Sequence, residues 1–322
     1  MRILVTGAFG YLGSSLVLHL LKKNFKVIAL DKMNFGLPSV FYKYRKNLEI
    51  IKGDIGDINL IKKCLKKTDK LIHLAGIVGE QACKQNIKLS KKTNYHDVIK
   101  IIKLCDISNL KHFIYVSTCS NYGLSKIAEY LDEDALLQPL SIYSKQKVTV
   151  EKYLIKNYNN NYTILRLGTL CGLSPRMRFD LLINEICRNL AVGRKITLYS
   201  PSSWRPYLAI EDAVISLEKI LKAKKKTVKN QIFNIVGENL KKIDLIKKIS
   251  NLTNKKIKYK ELKVSTDIRD YKVTGNKFIK VFGKMKNKCI NKAIIEIYKS
   301  VKNEYFYDPF SKKHTALKKA NR

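Results

Sequence analysis

Thr6-Gly7-Ala8-Phe9-Gly10-Tyr11-Leu12-Gly13 is the stretch that decides how this chain folds. The apolar run before it, residues 2–6, has strand character, and residues 11–23 after it carry a helical pattern. The glycines therefore sit in a strand-to-helix turn, the setting that gives such spacing its meaning. Gly7 permits the tight turn, Gly10 lets backbone approach a pyrophosphate, and Gly13 lets helix and strand pack closely. The amides of Phe9, Tyr11 and Leu12 surround the same turn, where a helix N-terminus favours an anion. Asp31 closes the next strand pattern, 18 residues after Gly13. A carboxylate there accepts both ribose hydroxyls and repels a 2′-phosphate, which favours NAD over NADP. Asp54, in Gly53-Asp54-Ile55, ends a third strand pattern and is placed to hydrogen-bond the adenine amine. The plainer reading of Asp31 and Asp54 is that they cap the helices that follow.

Working outward, strand patterns at 26–30, 48–52, 70–74, 112–117 and 163–167 alternate with helical stretches, clearest at 90–105 and 143–156. Such alternation predicts an α/β fold, a Rossmann-type doubly wound parallel sheet with a smaller C-terminal substrate-binding lobe. Residues 1–170 form the dinucleotide-binding domain, with strand and helix contributions from the later chain. Residues 171–306 form the lobe over the carboxyl ends of the strands, and residues 307–322 read as a basic tail without fixed structure.

With 322 residues, 45% of them hydrophobic, the chain buries a large core, which excludes a disordered class. Its seven cysteines are scattered, with no C-x-x-C, so neither zinc nor a disulfide framework is indicated; they read as reduced cytosolic thiols. No apolar run reaches the roughly 18 residues of a membrane-spanning helix. No charged leader precedes an apolar stretch at Met1, so a soluble, cytoplasmic protein without membrane insertion is expected. The formal charge of +37 raises the question of nucleic acid, but only ten of the 63 basic residues are Arg. Lysines are spread among Ile and Asn along the whole chain, as codon bias produces, and a specific nucleic-acid function is set aside. The positive field suits a substrate carrying a diphosphate.

Tyr143-Ser144-Lys145-Gln146-Lys147 puts Tyr143 and Lys147 four apart, on one face of a helix. A phenol near pKa 10 is a poor base at neutral pH, but a neighbouring ammonium and a cationic nicotinamide stabilise the phenolate. Tyr143 then takes the proton of a sugar hydroxyl while hydride leaves the same carbon. Thr118, in Val116-Ser117-Thr118-Cys119-Ser120-Asn121-Tyr122-Gly123 at the end of the preceding strand, supplies a hydroxyl to hold the reacting oxygen. The plainer alternative is an ordinary strand-end hydrogen-bonder.

These residues, with His73-Leu74-Ala75-Gly76 and Asn94, resemble the extended short-chain dehydrogenases, in particular the NAD-dependent epimerase/dehydratase family that includes UDP-galactose 4-epimerase. The resemblance runs from Met1 to about residue 280. It implies catalytic roles for Thr118, Tyr143 and Lys147, and cofactor roles for Gly7, Phe9, Gly10, Tyr11, Leu12, Gly13, Asp31, Asp54, Ile55, Leu74, Ala75, Gly76 and Asn94, besides Tyr143 and Lys147. Ile77-Val78-Gly79 with Ala82-Cys83, Arg166-Leu167-Gly168-Thr169 and Ser174-Pro175-Arg176-Met177-Arg178-Phe179-Asp180 look like a bacterial subgroup acting on nucleotide sugars. Trp204-Arg205-Pro206-Tyr207 and Asp267-Ile268-Arg269-Asp270-Tyr271 fit the same comparison. It implies that Arg205 and Arg269 bind the sugar-nucleotide diphosphate, with Ser120, Arg176 and Arg178 also on the substrate side, and that the chain is a homodimer.

Departures from the family pattern narrow the reaction. Sugar-nucleotide 4,6-dehydratases follow the threonine with Asp-Glu, where this chain has Cys119 and Ser120. Fucose-synthase-type enzymes add a Cys and His pair; Cys119 stands one position off and no matching His is found, so Cys119 reads as a buried small side chain. Two reactions remain: a 4-epimerase that keeps NAD bound, and a nucleotide-sugar 4-dehydrogenase acting, for example, on a GDP-linked heptose or deoxysugar. A non-catalytic cofactor- or nucleic-acid-binding member of the fold is a more distant third, opposed by the intact Tyr143 and Lys147.

Overall fold

The strand Arg2–Thr6, β1, is buried from Ile3 onward because it lies inside a sheet covered on both faces. The computed structural model describes residues 1–44, 46–125, 129–262, 268–284 and 289–316. After β1 come α1 (Tyr11–Lys22), β2 (Lys26–Asp31), β3 (Leu48–Lys52), α2 (Ile58–Leu65) and β4 (Lys70–His73). Short helices α3 (Glu80–Gln85) and α4 (Ile87–Lys91) lead through a π-turn at Lys92–His96 into α5 (Asp97–Asp106) and β5 (His112–Thr118). The two-residue β6 (Tyr130–Leu131) precedes α6 (Ile142–Asn157), β7 (Tyr162–Leu167) and β8 (Thr169–Cys171). Next are α7 (Leu182–Ala191), β9 (Ile196–Tyr199), β10 (Trp204–Ala209), α8 (Ile210–Lys222) and α9 (Lys225–Val228). The chain continues with β11 (Gln231–Ile235), β12 (Glu238–Lys241), α10 (Lys242–Thr253) and β13 (Tyr259–Leu262). It ends with β14 (Lys272–Val273), α11 (Asn276–Phe282) and α12 (Cys289–Lys302).

Seven strands form one parallel sheet in the order β11-β7-β5-β4-β1-β2-β3. The chain starts at β1, runs to one edge, then returns past β4 to the other, so the strand order reverses between β1 and β4. Crevices at the carboxyl ends of such a switch point are where α/β sheets bind ligands. One face is covered by Leu16 and Leu20 of α1, Leu217 and Ile220 of α8 and Phe278 of α11. Ile61 of α2, Ile101 of α5 and Leu154 of α6 cover the other. Each such apolar side chain contributes about 1.5–3 kcal/mol on burial. The expected doubly wound α/β sheet is therefore present.

The lobe is built on a three-stranded sheet, β12-β10-β8, and a β13-β9 pair. Its core takes Ile186 from α7, Ile249 from α10 and Ile294 from α12. A small cluster of Tyr122, Tyr271, Leu131 and Val273 fastens the β14-β6 pair beneath it.

Two expectations need correction. The helix predicted over 90–105 is interrupted at Lys92–His96, where one extra residue per turn accompanies Asn94 turned inward to Ile77. The tail from residue 307 is not loose as far as residue 316. The Phe179 amide donates to the His314 carbonyl (2.8 Å), the Phe179 ring meets Phe306 and His314 edge-on, and Arg188 and Arg194 lie over the Phe310 ring. Aromatic residues amid the lysines give the segment something to bury, which charge counting overlooks; residues 317–322 lie outside the described residues. All seven cysteines are buried, and among the described residues no helix is long and apolar enough to cross a membrane.

Candidate active site

The glycine turn joins β1 to α1 as its spacing requires. Gly7 has φ +67°, and a Cβ added there would lie 2.7 Å from the Ala75 nitrogen. A Cβ on Gly13 would lie 2.1 Å from the Gly7 oxygen, so helix and turn touch backbone to backbone. At Gly10 an added Cβ would meet only the Gly7 oxygen (3.3 Å) within 4 Å, among the described residues, which leaves the outward side open. No side chain caps α1 at Gly10, so its first amides are free for an anion. Asp31 stands beside them. Its two carboxylate oxygens accept from the Phe9 amide (2.9 Å) and the Met33 amide (2.7 Å), which fixes the carboxylate while leaving lone pairs for hydroxyl donors. This uncapped turn and oriented carboxylate fit a dinucleotide.

Other residues expected to hold cofactor are placed differently. Phe9 spends its amide on Asp31 and buries its ring against Phe41. Tyr11 turns its ring into the lobe, where its hydroxyl donates to the Gly172 carbonyl (2.7 Å) and accepts from Asn184 (3.0 Å). Leu12 packs between the main core and the lobe. Asp54 accepts from the Gly56 amide (2.9 Å) and pairs with Lys32 (2.7 Å); burial works to raise its pKa, but these two partners hold it below the usual carboxylate value. Ile55 is buried, and Leu74, Ala75 and Gly76 line the turn after β4. Asn94 has no spare donor: its amide group donates to the Ile77 carbonyl (2.9 Å) and to Gln146 (2.8 Å), while its oxygen accepts from the Ile77 amide (2.8 Å). It braces the 76–77 turn against α6 rather than presenting itself to a ligand.

The expected chemical group lies where β5 and α6 meet. Ser141 and Ser144 cap α6 reciprocally, Ser144 amide to Ser141 hydroxyl (3.0 Å) and Ser141 amide to Ser144 hydroxyl (3.1 Å), and fix the turn that carries Tyr143. Lys147, one turn on, is buried; its ammonium donates to the Val116 carbonyl (2.8 Å) and lies 4.6 Å from the Tyr115 ring centre and 5.9 Å from that of Tyr143. Burial draws the Lys147 ammonium down to about 8. Burial, and then the nearby Cys83 thiol, push the Tyr143 phenol well up, so the phenolate needs positive charge to form. Among the described residues the Tyr143 hydroxyl makes no hydrogen bond. Thr118 accepts from the Ser120 amide (3.1 Å) and keeps its own hydroxyl proton to donate.

Behind this group lies a polar network that sequence reasoning missed. Glu151, one turn after Lys147, accepts from Nε and Nη2 of Arg166 on one carboxylate oxygen (3.1 and 2.8 Å) and from Asn121 (2.7 Å) and the Ser117 hydroxyl on the other. Arg166 also donates to the Tyr122 hydroxyl (2.9 Å) and the Glu133 carbonyl (2.9 Å). The available signal was a glutamate four residues after Lys147 and an arginine inside an apolar strand.

Of the four arginines expected on the substrate side, two meet. Arg269 donates to Ser120 (3.0 Å), while Arg205 donates to the Arg269 and Trp204 carbonyls and lies 5.7 Å from the Tyr271 ring centre. Asp267 of that segment lies outside the described residues. Arg178 is clamped by Asp180 (3.0 and 2.7 Å) with its charge felt at Tyr143. Arg176 is elsewhere: its amide donates to Ser14 (3.2 Å), its guanidinium stacks on Phe35 (3.8 Å to the ring centre) and donates to the Thr315 carbonyl (2.6 Å). It is held between α1 and the segment after β2.

The sequence model of the NAD dependent epimerase/dehydratase family matches residues 3–236. The chain belongs to this family. NAD as cofactor accords with the family's NAD dependence. Among curated relatives, dTDP-D-glucose 4,6-dehydratase of Dictyostelium discoideum is 30% identical over 278 residues, which are 78% of this chain and only 62% of that protein. UDP-glucose 4-epimerase of Lactobacillus helveticus is 26% identical over 281 residues, 78% of this chain and 82% of the relative. The solved UDP-glucuronic acid 4-epimerase of Bacillus cereus shares the fold at TM-score 0.83 and 24% identity, over 95% of this chain and 100% of that one. Relatives of this chain in the epimerase/dehydratase family thus include both reaction types, and the residues after Thr118 bear on the choice. Cys119 is buried with its thiol against the Arg166 carbonyl (3.3 Å), and burial pushes that thiol well up. Ser120 is engaged by Arg269.

Proposed function

We propose that this protein is an NAD-dependent nucleotide-sugar epimerase that oxidises the sugar at C4 and re-reduces the keto sugar on its opposite face. The observation that carries the reading is the Lys147 ammonium beside the Tyr143 ring and bonded to Val116, two residues before Thr118, together with a buried thiol and a hydroxyl where dehydratases have Asp and Glu. Loss of water needs a positioned acid and base, and neither Cys119 nor Ser120 supplies a carboxyl group. Exchange of configuration needs only a reversible proton transfer beside a reversible hydride transfer. Bound NAD would supply the hydride acceptor and donor.

The chain's own residues do the rest. Tyr143 takes the proton of the C4 hydroxyl and later returns it; Lys147, a turn away, supplies the positive charge that the desolvated phenol needs. Thr118 donates to the reacting oxygen and holds it toward Tyr143. Arg205 and Arg269, with Ser120, bind the diphosphate, for which planar guanidinium groups suit paired oxygens. Asp31 and the glycine turn hold the adenosine and pyrophosphate of NAD. We further read the protein as a cytoplasmic homodimer joined through α4 to α6, where Ile87 and Ile155 stand exposed; light scattering checks the dimer.

The test is to mix the purified protein with UDP, GDP, CDP and dTDP sugars, follow absorbance near 340 nm and resolve the products. An isomerised sugar with no net NADH supports the proposal. A keto sugar with stoichiometric NADH makes the protein a 4-dehydrogenase, and a 4-keto-6-deoxy sugar makes it a dehydratase.

A further inference from the structure

Arg176 is more than nine-tenths buried, and its Nε has no hydrogen-bond partner among the described residues. Among the described residues no carboxylate forms an ion pair with it, and Asp180 pairs with Arg178 instead. Burial lowers its pKa to about 10, the mark of a cation short of compensating charge. Three segments converge on it. Its backbone is tied to Ser14 in the first turn of α1, the turn whose free amides await a pyrophosphate. Its guanidinium plane covers Phe35, four residues beyond Asp31. Its Nη2 donates to the carbonyl of Thr315, and the same stretch is pinned by Ala316 donating to Asp180 (3.1 Å) and His314 accepting from Phe179. Asp31 is close enough for its charge to act on Arg176. A buried, under-compensated cation between an open helix N-terminus and a ribose-orienting carboxylate calls for an anion, and a dinucleotide brings one.

We propose that Arg176, stacked on Phe35 and backed by residues 314–316, is a clasp over the adenosine half of the NAD site and retains the cofactor between turnovers. The clasp rests on the NAD-binding reading above and deepens it. A 4-epimerase must keep its reduced cofactor until hydride returns, and a residue that slows release without touching the sugar serves that need.

The experiment compares the intact protein with Arg176→Ala, Arg176→Lys and Phe35→Ala. The readouts are NAD released from the purified protein by acid, and the rate at which bound NADH fluorescence decays on dilution into an NADH-consuming trap. Arg176→Ala and Phe35→Ala are expected to speed release about tenfold, the scale of one charge-assisted contact. Arg176→Lys is expected to fall between, because an ammonium keeps the charge and loses the flat face. The Michaelis constant for sugar nucleotide at saturating NAD stays within about twofold. Phe35 is 37% exposed, so its replacement tests the clasp without threatening the fold. Unchanged release in both alanine variants, a rise in the sugar-nucleotide constant alone, or a protein that never holds NAD would each overturn the clasp. If the intact protein holds NAD yet turns over no sugar nucleotide, the proposed reaction falls while the release rates still decide the clasp.

Discussion

In the proposed reaction Tyr143 and Lys147 set opposite problems for the same small volume: the phenol has to lose a proton where burial opposes it, and the ammonium has to keep one. Tyr143→Phe removes the base and leaves the ring, so turnover should fall about 10³-fold while NAD content is unchanged; near-normal activity would show that another group takes the proton. Lys147 carries a stability cost whose sign follows from its shift. Its pKa falls from 10.5 in the unfolded chain to about 8 when folded, so between those values the unfolded state binds more protons and stability rises with pH. The penalty is complete below pH 8 and relieved by pH 10.5. Thermal unfolding of NAD-free Lys147→Met should therefore show its gain over the intact protein at pH 7, shrinking toward pH 10. The spacing of this pair was legible because i and i+4 share a helix face in any sequence. The direction of Tyr11 and Arg176 was not, because residue type does not say which way a loop turns, and both lie where the glycine turn meets the lobe.

At the scale of elements, α6 is held by more than its apolar stripe. Glu151 ties it to β5 through Ser117 and to β7 through Arg166, directly behind Lys147. Removing one member of a buried ion pair strands the other, so Glu151→Gln should cost about 3–5 kcal/mol in denaturant unfolding. A loss below about 1 kcal/mol would show that water or Tyr122 compensates Arg166. Six of the seven parallel strands were readable to within a residue because strands buried on both faces are continuous apolar runs, as in β1 and β7, whereas β11 was given no range. The lobe's strands were not: β8 has three residues, and no residue of β12 is fully buried, so neither leaves a pattern. The π-turn around Asn94 was hidden as well, since a helical period continues on both sides of it.

At the scale of the molecule, the proposed function assigns the NAD side to the sheet and the substrate side to the later chain. Tyr11, Ser14, Ser174 and Asn184 bolt one to the other at the mouth of the glycine turn. The formal charge of +37 surrounds this cleft with a field that favours polyphosphate ligands at low salt, yet lends no specificity. On the proposed function, specificity is expected from the few places where charge is fixed by geometry, such as Arg205 and Arg269 beside Ser120. Whether those parts make an epimerase is decided most directly by isotope. A nucleotide sugar accepted in the substrate panel, carrying deuterium at C4, is incubated with the enzyme in ordinary water, and the C4 epimer is examined by mass spectrometry and NMR. A 4-epimerase yields an epimer that keeps its deuterium at C4, with no NADH released. Loss of the label to water or into free NADH would contradict the proposed function.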